Sequence, residues 1–296
     1  MLLNAQNLDL VFSGLKTVFN ESFTAAPSKW AEVAMTVQST SADEQYTWLG
    51  EFPQMREWIG PRHVKNLSAH GFKIVNRKFE STISIKREHI EDDRIGIFKP
   101  ALTEMGRASA QHPDELVFGL LSQGFNTTCY DGQNFFDTDH PVKDANGQDV
   151  LVSNMQAGAG PAWYLMDTTR GVKPMVWQTR TPYEFAALTR SEDEAVFRND
   201  EYLYGVRARA NAGFGLWQLA FGSKATLNAT NYAAARSAMM RFTADGGNKL
   251  GIMPSLLVVP PELESAALAL LNTELGPNGE SNIWKGTAKI ALTPYL

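Results

Sequence analysis

The chain has 296 residues, 44% hydrophobic and 20% charged, the balance of an ordinary globular protein of one large or two modest domains. A net charge of −5 excludes a general nucleic-acid-binding surface, and a single cysteine, Cys129, excludes an intrachain disulfide framework and a cysteine-based zinc cluster. No stretch approaches the roughly 20 apolar residues of a membrane span, and the N-terminus lacks the basic and apolar regions of a signal peptide, which points to a cytoplasm.

In chain order, Asn4 is placed to cap a first helix in which Leu8, Phe12, Leu15 and Phe19 recur at spacings of three and four. Residues 30–37 lean towards strand. Residues 46–60 hold Tyr46, Trp48, Phe52 and Trp58, interrupted by Pro53, and read as irregular. Then comes the most unusual stretch. Phe79, Ile83 and Ile85 alternate with Glu80, Thr82, Ser84 and Lys86, the period of a half-buried strand. Phe72 and Ile74 alternate with Lys73 and Val75 just upstream, and residues 69–71 offer a turn. Between Arg62 and Arg87 there are seven Lys/Arg against one acid, Glu80. Arms of about ten residues would reach about 33 Å at about 3.3 Å per residue. A lone two-stranded ribbon is marginal in water, so this one is expected to lie on an acidic surface of another copy of the chain.

Residues 87–94 read as a charged turn or short helix. Ile97, Leu102, Met105 and Ala108 follow helical spacing, and Leu116, Leu120 and Leu121 continue it to Gly124. Pro113 predicts a kink, or a restart with Asp114 and Glu115 at the positive end of the helix dipole. Residues 125–160 are turn-rich, the loosest zone and the expected internal boundary. Strands are predicted over 163–166, 175–178, 184–188, 202–210 and 215–221. A helix over 231–243, a strand over 255–259, a helix over 262–271 and a strand over 283–293 suggest a compact α/β lobe of about 70 residues.

The search for chemistry is mostly negative. The phosphate-binding loop, the nucleophile elbow and the zinc-protease helix are missing from the sequence. Asp131, Asp137, Asp139 and His140 lie close enough in sequence to suggest a divalent metal. Yet Val142 stands where a calcium loop needs glycine, and Asp in loops often bonds its own backbone. No metal and no cofactor is therefore assigned. Glu88, Glu91, Asp92 and Asp93 beside Arg87 and Arg94 read as a solvated, ion-paired helix start. Cys129 reads as a small half-buried thiol with no histidine partner in the local sequence. The basic ribbon lacks the aromatic interleaving of a single-strand nucleic-acid platform.

Several blocks resemble the major head subunit of Mu-like tailed phages and prophages: residues 46–60, 79–93, 112–118, 130–141 and 211–217. They span most of the chain in family order. The resemblance implies an α+β, Hong Kong 97-type capsid fold and a non-enzymatic function: self-assembly into the icosahedral shell that encloses packaged double-stranded DNA. Carried onto this chain, residues 1–57 would be the N-terminal arm and 58–87 the extended loop. Residues 88–224 would be a peripheral domain with a spine helix over about 95–124, 225–281 the axial domain and 282–296 a C-terminal strand. The 163–221 strands precede the axial segment rather than following it, and are expected to pack beside the spine. Trp48, Trp58, Arg62, Lys65, Lys73, Arg77 and Lys78 are the expected inter-subunit contacts.

The implied partners are further copies in hexamers and pentamers, a separate scaffolding protein, a portal, a decoration protein as a further candidate, and DNA bound without sequence specificity. No membrane partner is implied, and the expected location is the virion, with assembly in the bacterial cytoplasm. Lys65, Lys73 and Lys78 offer amines for a cross-link, with no partner identifiable. Two alternatives stand beside this reading: an encapsulin-like compartment that encloses enzymes, and a metal-dependent hydrolase using Asp131, Asp137, Asp139 and His140.

Overall fold

In the computed structural model, which describes residues 4–49, 72–276 and 279–296, the chain opens on helix α1 (Ala5–Ala25). Asn4 caps it by accepting the Asn7 N–H at 2.8 Å, and Val11, Leu15 and Phe19 form its buried stripe. The β-leaning 30–37 stretch divides into one helical turn, α2 (Trp30–Val33), and strand β1 (Ala34–Gln38). Strand β2 (Asp43–Gln45) pairs antiparallel with β3 (Lys73–Val75), and β4 (Arg77–Lys86) follows after Asn76. The expected turn at 69–71 and the other arm of the ribbon lie outside the described residues. The described arm does not stand free. All ten residues of β4 pair with a later strand of the same chain, because Phe79, Ile83 and Ile85 need cover on one side.

Helix α3 (Arg87–Glu91) carries the ion pairs expected of a solvated segment, Arg87–Glu91 at 3.2 Å, with Arg94–Asp92 at 3.8 Å just beyond. After a 3-10 turn, α4 (Lys99–Ser122) runs for 24 residues straight through Pro113. The predicted restart there does not occur, since Ala110, Pro113, Val117 and Phe118 continue one buried stripe and packing outweighs the lost backbone donor. Asp114 does not sit at a helix start either. Its buried carboxylate leaves α4 to cap α2, accepting the backbone N–H of Lys29 at 2.9 Å and of Trp30 at 2.6 Å.

The turn-rich zone carries strands β5 (His140–Lys143), β6 (Asp149–Val152) and β7 (Met155–Gln156). It is not the loose zone expected, since Phe135, Phe136, His140 and Asn154 within it are fully buried. Strand β8 (Trp163–Met166) follows. The two strands predicted over 175–188 are one, β9 (Met175–Leu188), and Pro182 is accommodated where its register with the next strand shifts. Helix α5 (Glu194–Asn199) turns the chain into β10 (Glu201–Phe214), and β11 (Ala220–Ser223) comes next. Then follow α6 (Ala229–Arg241), capped by Asn228, strand β12 (Leu256–Val259), α7 (Glu264–Leu271) and β13 (Lys289–Leu292), the last shorter than predicted.

Among the described residues two larger sheets result. The first has the order β1-β9-β10-β4, and the second β13-β12-β8-β11-β7. The expected placement of 163–221 beside the long helix holds for β9 and β10, which pack on α4, whereas β8 and β11 join β12 in the second sheet. That sheet therefore crosses the limit expected at 224/225. One core cluster gathers the second sheet, α6, α7 and the end of α4 (Val117, Phe118, Leu121). The other gathers α1, the start of α4 (Leu102, Met105) and the far half of the first sheet.

Helix α1 lies so close to α4 that a Cβ added at Gly106 would meet the Phe19 carbonyl oxygen at 2.6 Å and the Ser22 Cβ at 2.9 Å. Phe19 in turn stacks on Phe185 of β9 at 5.1 Å between ring centroids. Replacing Gly106→Ala is expected to push α1 off its seat and cost about 1–3 kcal/mol of stability. Urea unfolding measures it, and an unchanged midpoint would show that the two helices have room to spare.

Candidate assembly surface

Over residues 77–86, 183–188 and 201–208 the first sheet is covered on one face only. Phe79, Ile83 and Ile85 of β4, Tyr202, Tyr204 and Val206 of β10 and Tyr183 and Phe185 of β9 face α1 and α4. On the other face Lys78, Glu80, Thr82 and Lys86 stand beside Arg207, Glu184, Ala186 and Leu188, all exposed. Register aligns Arg207 with Glu80 and Arg209 with Lys78. A shallow groove of about 260 Å³ crosses this face at Gly205, where an added Cβ would come 2.9 Å from Thr82 Oγ1. Such a face, mixed in charge around an apolar strip, suits contact with another protein surface.

The seven expected contact residues are distributed unevenly. Trp48 is half-buried, packed on the main core and edge-on to Tyr46, so much of its ring is already used within the chain. Trp58, Arg62 and Lys65 lie outside the described residues. Lys73 is exposed and pairs with Asp43 at 3.2 Å across the β2–β3 ribbon. Arg77 is exposed with its guanidinium 5.2 Å from the centre of the Phe79 ring, and Lys78 is exposed on the outer face.

Beneath β4 a cavity of about 240 Å³ opens between that strand, β10 and α4. His112 lines it, its Nδ1 2.6 Å from the Tyr183 hydroxyl and its ring edge-on to Phe79 at 4.2 Å. Burial pushes the His112 imidazole below its ordinary value; Glu115 opposes the shift and Arg77 adds to it. Because the folded-state value is depressed, the stability His112 contributes is present above about pH 6.5 and is lost as pH falls through the lowered value. His112→Gln is expected to flatten that slope. Urea midpoints at about pH 5 and about pH 7 test it, and equal slopes in wild type and variant would refute the assignment.

The side chains considered for a hydrolase do not converge as a group. His140 and Asp131 pair in the interior, Nδ1 to Oδ2 at 2.7 Å, with the imidazole stacked on Trp217 at 4.0 Å. Burial pushes the Asp131 carboxyl up, but bonds from His140, Cys129 and the Gln133 N–H outweigh it and leave the group below its ordinary value. Asp137 stands apart, accepting the backbone N–H of Thr138 at 2.8 Å and of Asn134 at 3.2 Å, a loop-bracing role. Asp139 is half-buried, and the neighbouring Asp137 pushes its carboxyl up. Cys129 is buried rather than half-buried, and it does have a histidine neighbour. The functional groups of Cys129, Asp131 and His140 lie within 4.8 Å of one another. Sequence spacing alone concealed this, since eleven positions separate Cys129 from His140 and only the fold of the turn-rich stretch closes them.

Comparison with known proteins decides what this architecture is. Residues 8–296 match the family model described as Mu-like prophage major head subunit gpT. The chain belongs to that family. The major capsid protein of Escherichia phage Mu is 41% identical over 305 residues, covering 100% of both chains. The Mu-like prophage FluMu major head subunit of Haemophilus influenzae is 43% identical over 272 residues, 90% of this chain and 88% of that one. Among solved structures, the procapsid of bacteriophage JBD30 superposes with a TM-score of 0.87 at 44% identity, covering 99% of this chain and 100% of that one. The JBD30 capsid gives 0.78 at 35% identity, covering 94% and 93%. This head subunit is thus a major capsid protein of the tailed-phage type with the Hong Kong 97-type fold, and neither the encapsulin-like nor the hydrolase reading is favoured.

Proposed function

We propose that this head subunit builds an icosahedral shell around packaged double-stranded DNA, its copies joined head to tail in hexamers and pentamers. The observation that carries the reading is the one-sided sheet. A subunit that spends one face of its longest strands on α1 and α4 leaves the other, charged and grooved at Gly205, for a neighbour. Ring-forming contacts must be heterologous to close. Many weak contacts per copy let errors anneal while the closed shell holds through multivalency. The procapsid and capsid assemblies of the JBD30 relative support extending this behaviour to the present chain.

In this scheme residues 1–57 serve as the arm and 58–87 as the extended loop. The loop reaches a neighbour with Trp58, Arg62 and Lys65, while Lys73, Arg77 and Lys78 add charge at its base and Trp48 contributes the exposed part of its ring. Residues 88–224 form the peripheral unit with α4 as spine. The axial unit is centred on 225–281, ends in the 282–296 strand and borrows β8 and β11 through their shared sheet. A separate scaffolding protein, a portal and a decoration protein complete the set of partners, the last suggested by the minor capsid protein trimers on the JBD30 capsid. Assembly takes place in the bacterial cytoplasm. Among the described residues no helix is long and apolar enough to cross a membrane.

Charge pairing at these surfaces is screened by salt over about 8–10 Å at ionic strengths near 0.1–0.15 M. Shell yield is therefore expected to fall as salt rises. The double variant Arg77→Glu, Lys78→Glu is expected to stay folded by circular dichroism yet give few or no shells by electron microscopy. Normal shells from that variant would remove these residues from the interface. Compact monomers from the wild-type chain under all assembly conditions would defeat the shell reading itself.

A further inference from the structure

We propose that Cys129, Asp131 and His140 form a binding site for a divalent transition-metal ion of the zinc class, which ties together the two ends of the 129–140 loop. The three donors are a sulfur, a carboxylate oxygen and an imidazole nitrogen, all within 4.8 Å of one another. That set selects a borderline-soft ion over calcium or magnesium, which prefer oxygen alone.

Three features of the surroundings go beyond proximity. The first concerns which nitrogen of His140 is available. Asn154 donates its side-chain NH2 to the Phe135 carbonyl at 2.8 Å, and its Oδ1 accepts the Asp137 N–H at 2.9 Å. The amide is therefore fixed with its oxygen towards His140 Nε2, at 3.2 Å. Nε2 must carry a hydrogen, and the Nδ1 lone pair can then serve as a ligand directed at Asp131. Metal-bound histidines characteristically donate their second N–H in this way. The second feature is ring orientation: the fully buried imidazole lies parallel to Trp217 within 12°, which restrains its turning. The third is charge: a Cys129 thiolate and an Asp131 carboxylate together neutralise a dication, so the loaded site carries no net charge.

Without a metal, the same atoms satisfy one another. The Cys129 thiol donates to Asp131 Oδ1 at 3.1 Å, and Asp131 Oδ2 meets His140 Nδ1 at 2.7 Å. A tetrahedral zinc ion with bonds of about 2.0–2.3 Å spaces its ligands by about 3.3–3.7 Å. The carboxylate must withdraw by roughly half an ångström from each neighbour to admit it. Binding replaces the S–H bond by a sulfur–metal bond and releases that proton to solvent, together with any proton held between Nδ1 and Asp131. Because loading releases protons, uptake is expected to be weak in acid and to strengthen as pH rises. Asp137 and Asp139 play no part.

The test uses the untagged full-length subunit, stripped by chelator and dialysed. Zinc chloride alone, then cobalt chloride alone, are titrated at neutral pH, with bound metal counted by elemental analysis. The expected result is one ion per chain, a thiolate-to-cobalt charge-transfer band in the near ultraviolet, and a raised melting temperature with zinc. Cys129→Ala should abolish the band, and Asp131→Asn should weaken zinc binding by roughly 10- to 100-fold. No retained metal in the wild-type chain would overturn the proposal without recourse to any variant. So would metal bound without the charge-transfer band, the signature of exposed carboxylates alone, or a band that survives in Cys129→Ala.

Discussion

Strand β10 is hydrogen-bonded along both edges, to β9 and to β4, and the rest of the subunit depends on that double pairing. Its inward residues Tyr202, Tyr204, Val206 and Ala208 seat α1 and the first half of α4. Its far end, Ala210 to Phe214, enters the other core cluster, and a short 3-10 turn leads on into β11 of the second sheet. One continuous strand thus passes from one hydrophobic cluster to the other. Helix α4 does the same, with Leu102 and Met105 in one and Phe118 and Leu121 in the other. Two continuous elements crossing the same boundary tie the sheets together more firmly than a linker would, because moving either costs apolar contacts at both ends.

The same fact explains what was legible in the sequence. Local periodicity depends on local residues, so α1 with its Asn4 cap, the stripe of α4 and the Tyr232, Ala235, Met239 face of α6 were all readable. The alternation of Phe79, Ile83 and Ile85 also marked the correct face of β4. Partner choice between strands was not readable, because β4 and β10 are more than a hundred positions apart and nothing in either names the other. Proline was over-read at Pro113, which continues a helix because packing outweighs the missing N–H.

Polar residues were misread for a related reason. An aspartate in a turn-rich stretch bonds its own loop far more often than it meets a distant group, and Asp137 does so. Asp131 also bonds its own loop, through the Gln133 N–H, but it reaches His140 as well, since its stretch folds back on itself and buries His140 against Trp217. Asp114 is the same lesson at longer range, its carboxylate serving backbone donors more than 80 positions away. Burial converts such side chains from surface decoration into long-range connectors, and burial is a property of the whole chain.

The tight crossing at Gly106 has a consequence for cooperativity. Helix α1 is held by one face, through Val11, Leu15 and Phe19, and no strand pairs with it. A seat with no slack at its centre cannot be partly occupied: once the Phe19 backbone lifts from Gly106, the stacked Phe185 and the whole apolar stripe lose their contacts together. Helix α1 is therefore expected to open as a separate cooperative unit. Its amides should share a single opening free energy rather than fray residue by residue, so that the helix works as a detachable latch.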